Sequence, residues 1–259
     1  MKQLKLIGFL LFAVVFASSC ASETDATEAV KPKETVPTAE LLKQSEALFT
    51  QRKDVEKLRE AIKTIARARN SDKRDFEVEW KFAKYNYFLS KQVTDEKEAE
   101  KLLKEGYAAG MIASRLEPNK PDGYFWYSAC LGEQSRRSPV TVGIKAVGEI
   151  QEGMNKVIQI DPKYQAASAF DGLAQVELKT TLVGGKPEKA VELLEKALEY
   201  DKSNGYIYLH LAEAYLAVNK RDEAKKQLDF VTKMKSVPEF EVEHEEIQAA
   251  AKKLLETKF

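Results

Sequence analysis

Histidine and cysteine are scarce in this chain, with two of each in 259 residues. A metal centre built from imidazole and thiolate ligands needs more of them than that. His210 has Glu213 three residues further on, but a metal site would require at least one more ligand. His244 opens the segment HEEIQ, which lacks the second histidine of a zinc-protease helix. No serine–histidine or cysteine–histidine pairing has a spacing suited to nucleophilic chemistry. Gly184-Gly185-Lys186 lacks the Gly-x-x-x-x-Gly-Lys-Ser/Thr spacing and the preceding strand of a phosphate loop, so a helix-ending turn accounts for it. Net charge is absent too. Forty-one basic and 41 acidic side chains cancel, which argues against the basic field that nucleic-acid binding requires. No metal, cofactor or catalysis is therefore expected.

A long apolar run occurs once, at the start. Lys2 and Lys5 precede the apolar residues 6–17, which are too few to span a bilayer comfortably, and the small residues Ala17, Ser18 and Ser19 lead to Cys20. The pattern predicts a secretory signal peptide over 1–19. A cysteine in that place resembles a lipobox, which would make Cys20 the lipidated first residue of the mature protein. Ala17 stands where lipoboxes usually carry leucine, and ordinary cleavage near Ser19, giving a secreted protein, is the alternative. With Cys20 lipidated, Cys130 is left without a disulfide partner, and its neighbours read as a packed helix. Residues 20–38, rich in Ser, Thr, Glu, Lys and Pro, predict a disordered tether.

What is abundant is helical periodicity. Charged residues make up 32% of the chain with both signs interleaved, as on solvated helix faces. Residues 206–234 (YIYLHLAEAYLAVNKRDEAKKQLDFVTKM) read as two amphipathic helices joined at 219–222. Tyr208, Leu211, Ala212 and Tyr215 share one stripe, and Ala224, Leu228 and Val231 the other. That large–small–large spacing is the signature of a tetratricopeptide repeat of about 34 residues. The second-helix pattern recurs upstream at Ala61/Ile65/Ala68, Gly106/Gly110/Ala113, Ile150/Met154/Val157 and Ala190/Leu194/Ala197. Only the last step has the standard length. First helices are placed over 41–49, 76–88, 124–133 and 170–178.

The expected fold is therefore all-α, a tetratricopeptide-like α-solenoid of about five irregular helix pairs over 39–237, with a C-terminal capping helix in 238–259. Residues 134–144, which contain Pro139 and Gly143, predict a loop, and 179–186 a second break ending at Pro187. The last helix shows an apolar stripe of Ile247, Ala250, Ala251, Leu254 and Leu255. Glu241, Glu243, Glu245 and Glu246 are expected to keep its outer face wet.

In such an array the first helices line the concave face, where aromatic anchors and arginine favour protein binding. The candidate lining is Trp80, Lys84 and Tyr87, then Phe125 and Trp126, then Tyr206 and Glu213, with Arg136 and Arg137 in the insertion. Trp126 is favoured because Tyr124, Phe125, Trp126 and Tyr127 surround a whole helical turn and cannot all enter one seam.

A lipoprotein-like leader, the segments GYFWYSACLGE and GGKPEKAVELLEKAL, and irregular repeats together resemble the TatT family, tetratricopeptide lipoproteins associated with TRAP transporters. Ser128 departs from a usual glycine there. The resemblance implies a periplasmic scaffold anchored only by lipid, working beside a solute-binding protein and helping deliver hydrophobic or carboxylate ligands. An adaptor for outer-membrane assembly or secretion is the alternative. A cell-wall hydrolase finds no acidic candidate in the sequence, and self-association of the solenoid stays open.

Overall fold

The computed structural model describes residues 36–236 and 241–259, so the leader, Cys20 and most of the tether lie outside the described residues. Within the described residues ten helices pair into five antiparallel hairpins: α1 (Thr38–Phe49) with α2 (Val55–Ala66), α3 (Phe76–Gln92) with α4 (Glu96–Leu116), α5 (Pro121–Arg137) with α6 (Ile144–Ile160), α7 (Tyr164–Lys179) with α8 (Pro187–Tyr200), and α9 (Gly205–Ala217) with α10 (Arg221–Val231). One more helix, α11 (Glu241–Lys258), packs on α9 and α10. Among the described residues no helix is long and apolar enough to cross a membrane.

The helix starts are written in short polar side chains. Asp54, Asp75, Asp95 and Asn204 accept hydrogen bonds from the first free backbone N–H groups of α2, α3, α4 and α9. Pro121 and Pro187 open α5 and α8, where the missing N–H costs nothing. The repeated second-helix residues are the buried seam of each hairpin. Ala61, Ile65, Ala113, Val157, Ala190, Leu194, Ala197, Ala224 and Leu228 are all fully buried. Ala68 falls just past the end of α2 and is half-buried.

Small residues let helices approach closely around α4 and α5. A Cβ on Gly110 would stand 2.7 Å from the Tyr127 backbone nitrogen, and one on Gly106 would meet Cys130 Sγ at 2.7 Å. Two apolar cores result, one over α1–α7 and one over α7–α11, and they meet on opposite sides of α7.

Two sequence expectations need correction. Residues 134–144 are not a loop: α5 runs through Arg137, a single π turn spans Pro139–Gly143, and α6 starts at Ile144. The Ser138 carbonyl accepts from Val142 N at 3.0 Å and Gly143 N at 3.3 Å. Pro139 thus opens a helical turn, where it needs no N–H, instead of breaking one. Nor does every glutamate at the start of α11 face water. Glu241, Glu245 and Glu246 are exposed as expected, Glu245 pairing with Lys53 and Glu246 with Lys91 and Tyr206, but Glu243 is buried against Arg52. A periodicity argument sees which residues share a stripe, but not that a distant basic turn will meet the charged one.

The break at 179–186 behaves as read, with a 3-10 turn at Thr181–Val183 and Gly184 in the left-handed region at φ 113°. The start of α7 has no counterpart in the sequence pattern. Gln165, Ala166 and Ala167 all have positive φ (49°, 50° and 61°), so α7 begins with a left-handed turn before its regular part.

Candidate protein-docking face

The inner face is built from the first helix of each hairpin. Trp80, Lys84, Tyr87 and Lys91 follow one stripe of α3 at the spacing of helical turns. Lys84 Nζ lies 4.7 Å from the Phe49 ring centre and 5.6 Å from that of Trp126. Among the described residues no carboxylate comes within ion-pair distance of it. Burial first, and then the Arg52 charge, lowers its pKa to about 8. Beside it, the Arg52 guanidinium sits 5.0 Å from Phe49 and 5.4 Å from Phe88, and pairs with Glu243.

Tyr87 stands in the middle, its ring centre 5.8 Å from that of Trp126. Burial first, then the surrounding Glu133, Asp171 and Glu246 carboxylates, pushes its hydroxyl above the usual tyrosine range. Those acids come from three further elements, α5, α7 and α11. Further round, Tyr206 donates to Glu246 at 3.0 Å, stacks on His210 and lies under Lys91 Nζ at 5.4 Å. His210 Nδ1 meets Asp171 Oδ1 at 2.7 Å. Burial alone would lower the His210 pKa, but the Asp171 charge and hydrogen bond outweigh it and raise it.

The candidate residues divide by what they are free to do. Trp126 is 2% exposed and Phe125 7%, both held in the core, which corrects the expectation that Trp126 is the anchor left for a partner. Three of the four aromatics point into different seams: Trp126 towards Tyr87 and Phe88, Phe125 towards Tyr164, and Tyr127 towards Tyr107, while Tyr124 is half-buried beside Tyr127. Each seam is closed by a neighbouring helix. Among the described residues Trp126 Nε1 has no partner in hydrogen-bond geometry, although the Tyr164 hydroxyl is close enough to sense it.

Arg137 is also structural. It bonds Glu133 at 2.9 Å, Glu96 at 2.8 Å and the Ser90 carbonyl at 2.7 Å, so it ties α5 to the α3–α4 turn. Arg136 shares Glu133 but leaves 61% of its side chain exposed. Burial would raise the Glu133 pKa, yet the two arginines hold it below the ordinary value. Trp80 is half-buried, with Lys81 Nζ 5.5 Å from its ring. Glu213, one helical turn beyond His210, lines a shallow recess of about 280 Å³ with Leu178, Lys179, Leu216, Leu254 and Lys258. Cys130 is buried, and burial pushes its thiol up, so it is chemically quiet.

Sequence reasoning missed Arg52, Lys91, Glu243, Glu246 and the Asp171–His210 pair. Arg52 sits in an interhelical turn without a period, and the others are defined by contacts between repeats. Only the accumulation of four glutamates at the start of α11 offered a signal.

Residues 41–173 match the family described as Regulator of microtubule dynamics protein 1-3, and residues 184–240 match the tetratricopeptide repeat. Among solved structures, a thermophilic TPR protein of Thermus thermophilus is similar over 84% of this chain and 100% of its own, with 20% identity and a TM-score of 0.61. The pilF protein of Pseudomonas aeruginosa is similar over 85% of this chain and 91% of its own, with 15% identity and a TM-score of 0.54. No curated protein matches by sequence. At these identities the structural likeness shows the fold, an all-α tetratricopeptide solenoid, and arrays of this type present concave surfaces to other proteins.

Proposed function

The chain belongs to the family described as Regulator of microtubule dynamics protein 1-3, and on that premise we propose that it is a non-enzymatic scaffold that docks another protein on the inner face of its repeats. The observation that carries this is the contact network in which aromatic and charged side chains from α3, α5, α7, α9 and α11 meet: Tyr87 with Trp126, Lys91 with Tyr206 and Glu246, and Tyr206 with His210, which holds Asp171. Such a surface has the composition of a binding hot spot.

We further propose that lipid on Cys20 holds the scaffold at a bacterial envelope, facing the periplasm, where it serves a solute-binding protein of a TRAP system. The support is in the sequence: the basic, apolar and small-residue order of 1–19, Cys20 after it, and the segments that resemble TatT. An adaptor role in outer-membrane assembly or secretion is the alternative that the same anchor allows.

Photo-cross-linking in native membranes tests the docking. A photoreactive residue at Arg136, on the inner face, should capture a protein that one at Lys104 does not; Lys104 is exposed on α4, 67% accessible. Equal capture from both positions would sink the inner-face reading. Labelled palmitate should enter the wild-type chain and not a Cys20→Ala variant. The family's name describes regulators of microtubule dynamics, so co-sedimentation with polymerised tubulin is the arm that would replace the envelope setting with a cytoskeletal one.

A further inference from the structure

The inner face is not empty of acid. The first turns of α11, EVEHEE over 241–246, reach it through Glu243 and Glu246. Glu243 takes Arg52, Glu246 takes Tyr206 at 3.0 Å and Lys91 at 3.8 Å, and Glu245 takes Lys53 on the rim at 2.9 Å. Each of these acidic contacts is met by a cation from one of the first two hairpins or by a phenol from α9. The other carboxylates on the face have partners of their own: Glu133 is held by Arg136 and Arg137, and Asp171 by His210. Lys84 is the exception, a largely buried ammonium supported by the Phe49 and Trp126 rings with no carboxylate in contact range among the described residues.

We infer that this cationic, aromatic face (Arg52, Lys84, Lys91 and Tyr206) is a docking site for an acidic helical segment of a partner protein, and that the start of α11 occupies it in cis. The inference rests on the scaffold reading and deepens it by naming the partner's chemistry. Charge complementarity carries it: the occupant already present is a helix with glutamates at 241, 243, 245 and 246, and Lys84 still lacks an acid among the described residues. A tethered occupant competes at high effective concentration, so it weakens any partner's apparent affinity by the fraction of time the site is covered. Loosening α11 should therefore strengthen binding in trans. A lid without a binding role would not produce that result.

The test uses the full chain in detergent and, as probe, a fluorescein-labelled peptide of residues 241–258. Its control carries glutamine at 243, 245 and 246. Anisotropy should show the acidic peptide binding Glu243→Gln at least tenfold more tightly than wild type. The glutamine control should not bind, and Lys84→Met added to Glu243→Gln should remove most of the gain. Binding should weaken as salt rises, because the face is partly solvated. If Glu243→Gln folds poorly by circular dichroism, Glu246→Gln, whose side chain is 61% exposed, gives the same comparison with less strain on the fold.

Equal binding of the acidic and glutamine peptides overturns the inference. So does an unchanged affinity in both glutamate variants with the fold intact. The two readings fail separately. A partner captured from membranes and not displaced by the acidic peptide leaves the scaffold standing but removes this site. Peptide binding as expected, with no partner captured, counts against the scaffold reading alone.

Discussion

Arg52 and Glu243 are 191 residues apart in sequence and joined by two hydrogen bonds, Nε to Oε1 at 3.3 Å and Nη2 to Oε2 at 3.2 Å. Each side chain is 10% exposed. The pair fastens the turn between α1 and α2 to the start of α11, so the first and last parts of the described array are in contact. A solenoid whose ends meet has a shielded inner face, and that closure governs how variants of the face should behave.

Removing one partner strands the other in a poorly hydrated place. Glu243→Ala should cost roughly 2 kcal/mol, the range for hydrogen bonds to charged groups. Urea unfolding of Glu243→Ala, Arg52→Met and the double variant reads the coupling. Additive losses would mean that the two residues act separately.

Two glycines of neighbouring helices should respond with opposite signs. Gly110→Ala drives a methyl into the Tyr127 backbone, with 2.7 Å to its nitrogen, and overpacking of this kind costs about 1–3 kcal/mol. Gly132→Ala, inside α5, meets nothing within 4 Å among the described residues and should stabilise by about 0.5–1 kcal/mol. Thermal melts of both variants decide it. A neutral Gly110→Ala would mean that the α4–α5 seam is looser than described.

The His210–Asp171 pair sets a pH dependence. The folded pKa of His210 is raised above the ordinary 6.5, with burial opposing the shift and Asp171 overcoming it. The folded state therefore binds the proton more tightly than the unfolded chain does. The stability this supplies is complete below about 6.5 and is lost as pH rises through the folded value. Asp171→Asn should lower the His210 midpoint, read as a shifted imidazole signal in a proton NMR titration, and should flatten stability over the same window. A midpoint that stays in place would assign the shift to some other group.

Three successive residues with positive φ carry strain that glycine would relieve. Ala166→Gly should stabilise the chain by about 1 kcal/mol, because the substitution frees a backbone held at φ 50°. Ser168→Ala should do the reverse, since Ser168 Oγ donates to the Gln165 carbonyl at 2.5 Å and accepts from Asn204 at 2.9 Å. Denaturant midpoints for the two variants should fall on opposite sides of wild type.

The repeat seams were legible because they obey a local rule. Ala190, Leu194 and Ala197 recur at a fixed spacing, and burial follows from helix geometry alone. Helix starts were legible for the same reason, since Pro187 acts within one turn of itself. The docking face was legible only in part. Lys84 and Tyr87 were found from their stripe on α3, but the burial of Trp126 against α3 and of Phe125 against α7 is something no pattern within residues 124–127 describes. The π turn at Pro139–Gly143 was misread because proline and glycine mark helix openings as well as loops. Arg52 with Glu243, and Asp171 with His210, are products of how far the array curves. Curvature accumulates from small packing differences at every hairpin, so no single stretch of sequence announces it.

The joining of the two ends also has a consequence in time. Hairpins such as α3–α4 can form as soon as their own residues are available, whereas the Arg52–Glu243 bond must close a loop of most of the chain and belongs to the last folding events. Synthesis runs from the first residue towards the last, and α11 follows α1–α10 in the sequence. The basic, aromatic inner face is therefore complete before its covering helix has been made. For that interval the nascent protein presents the open site that the finished molecule keeps shut, and an acidic segment nearby would meet it without competition.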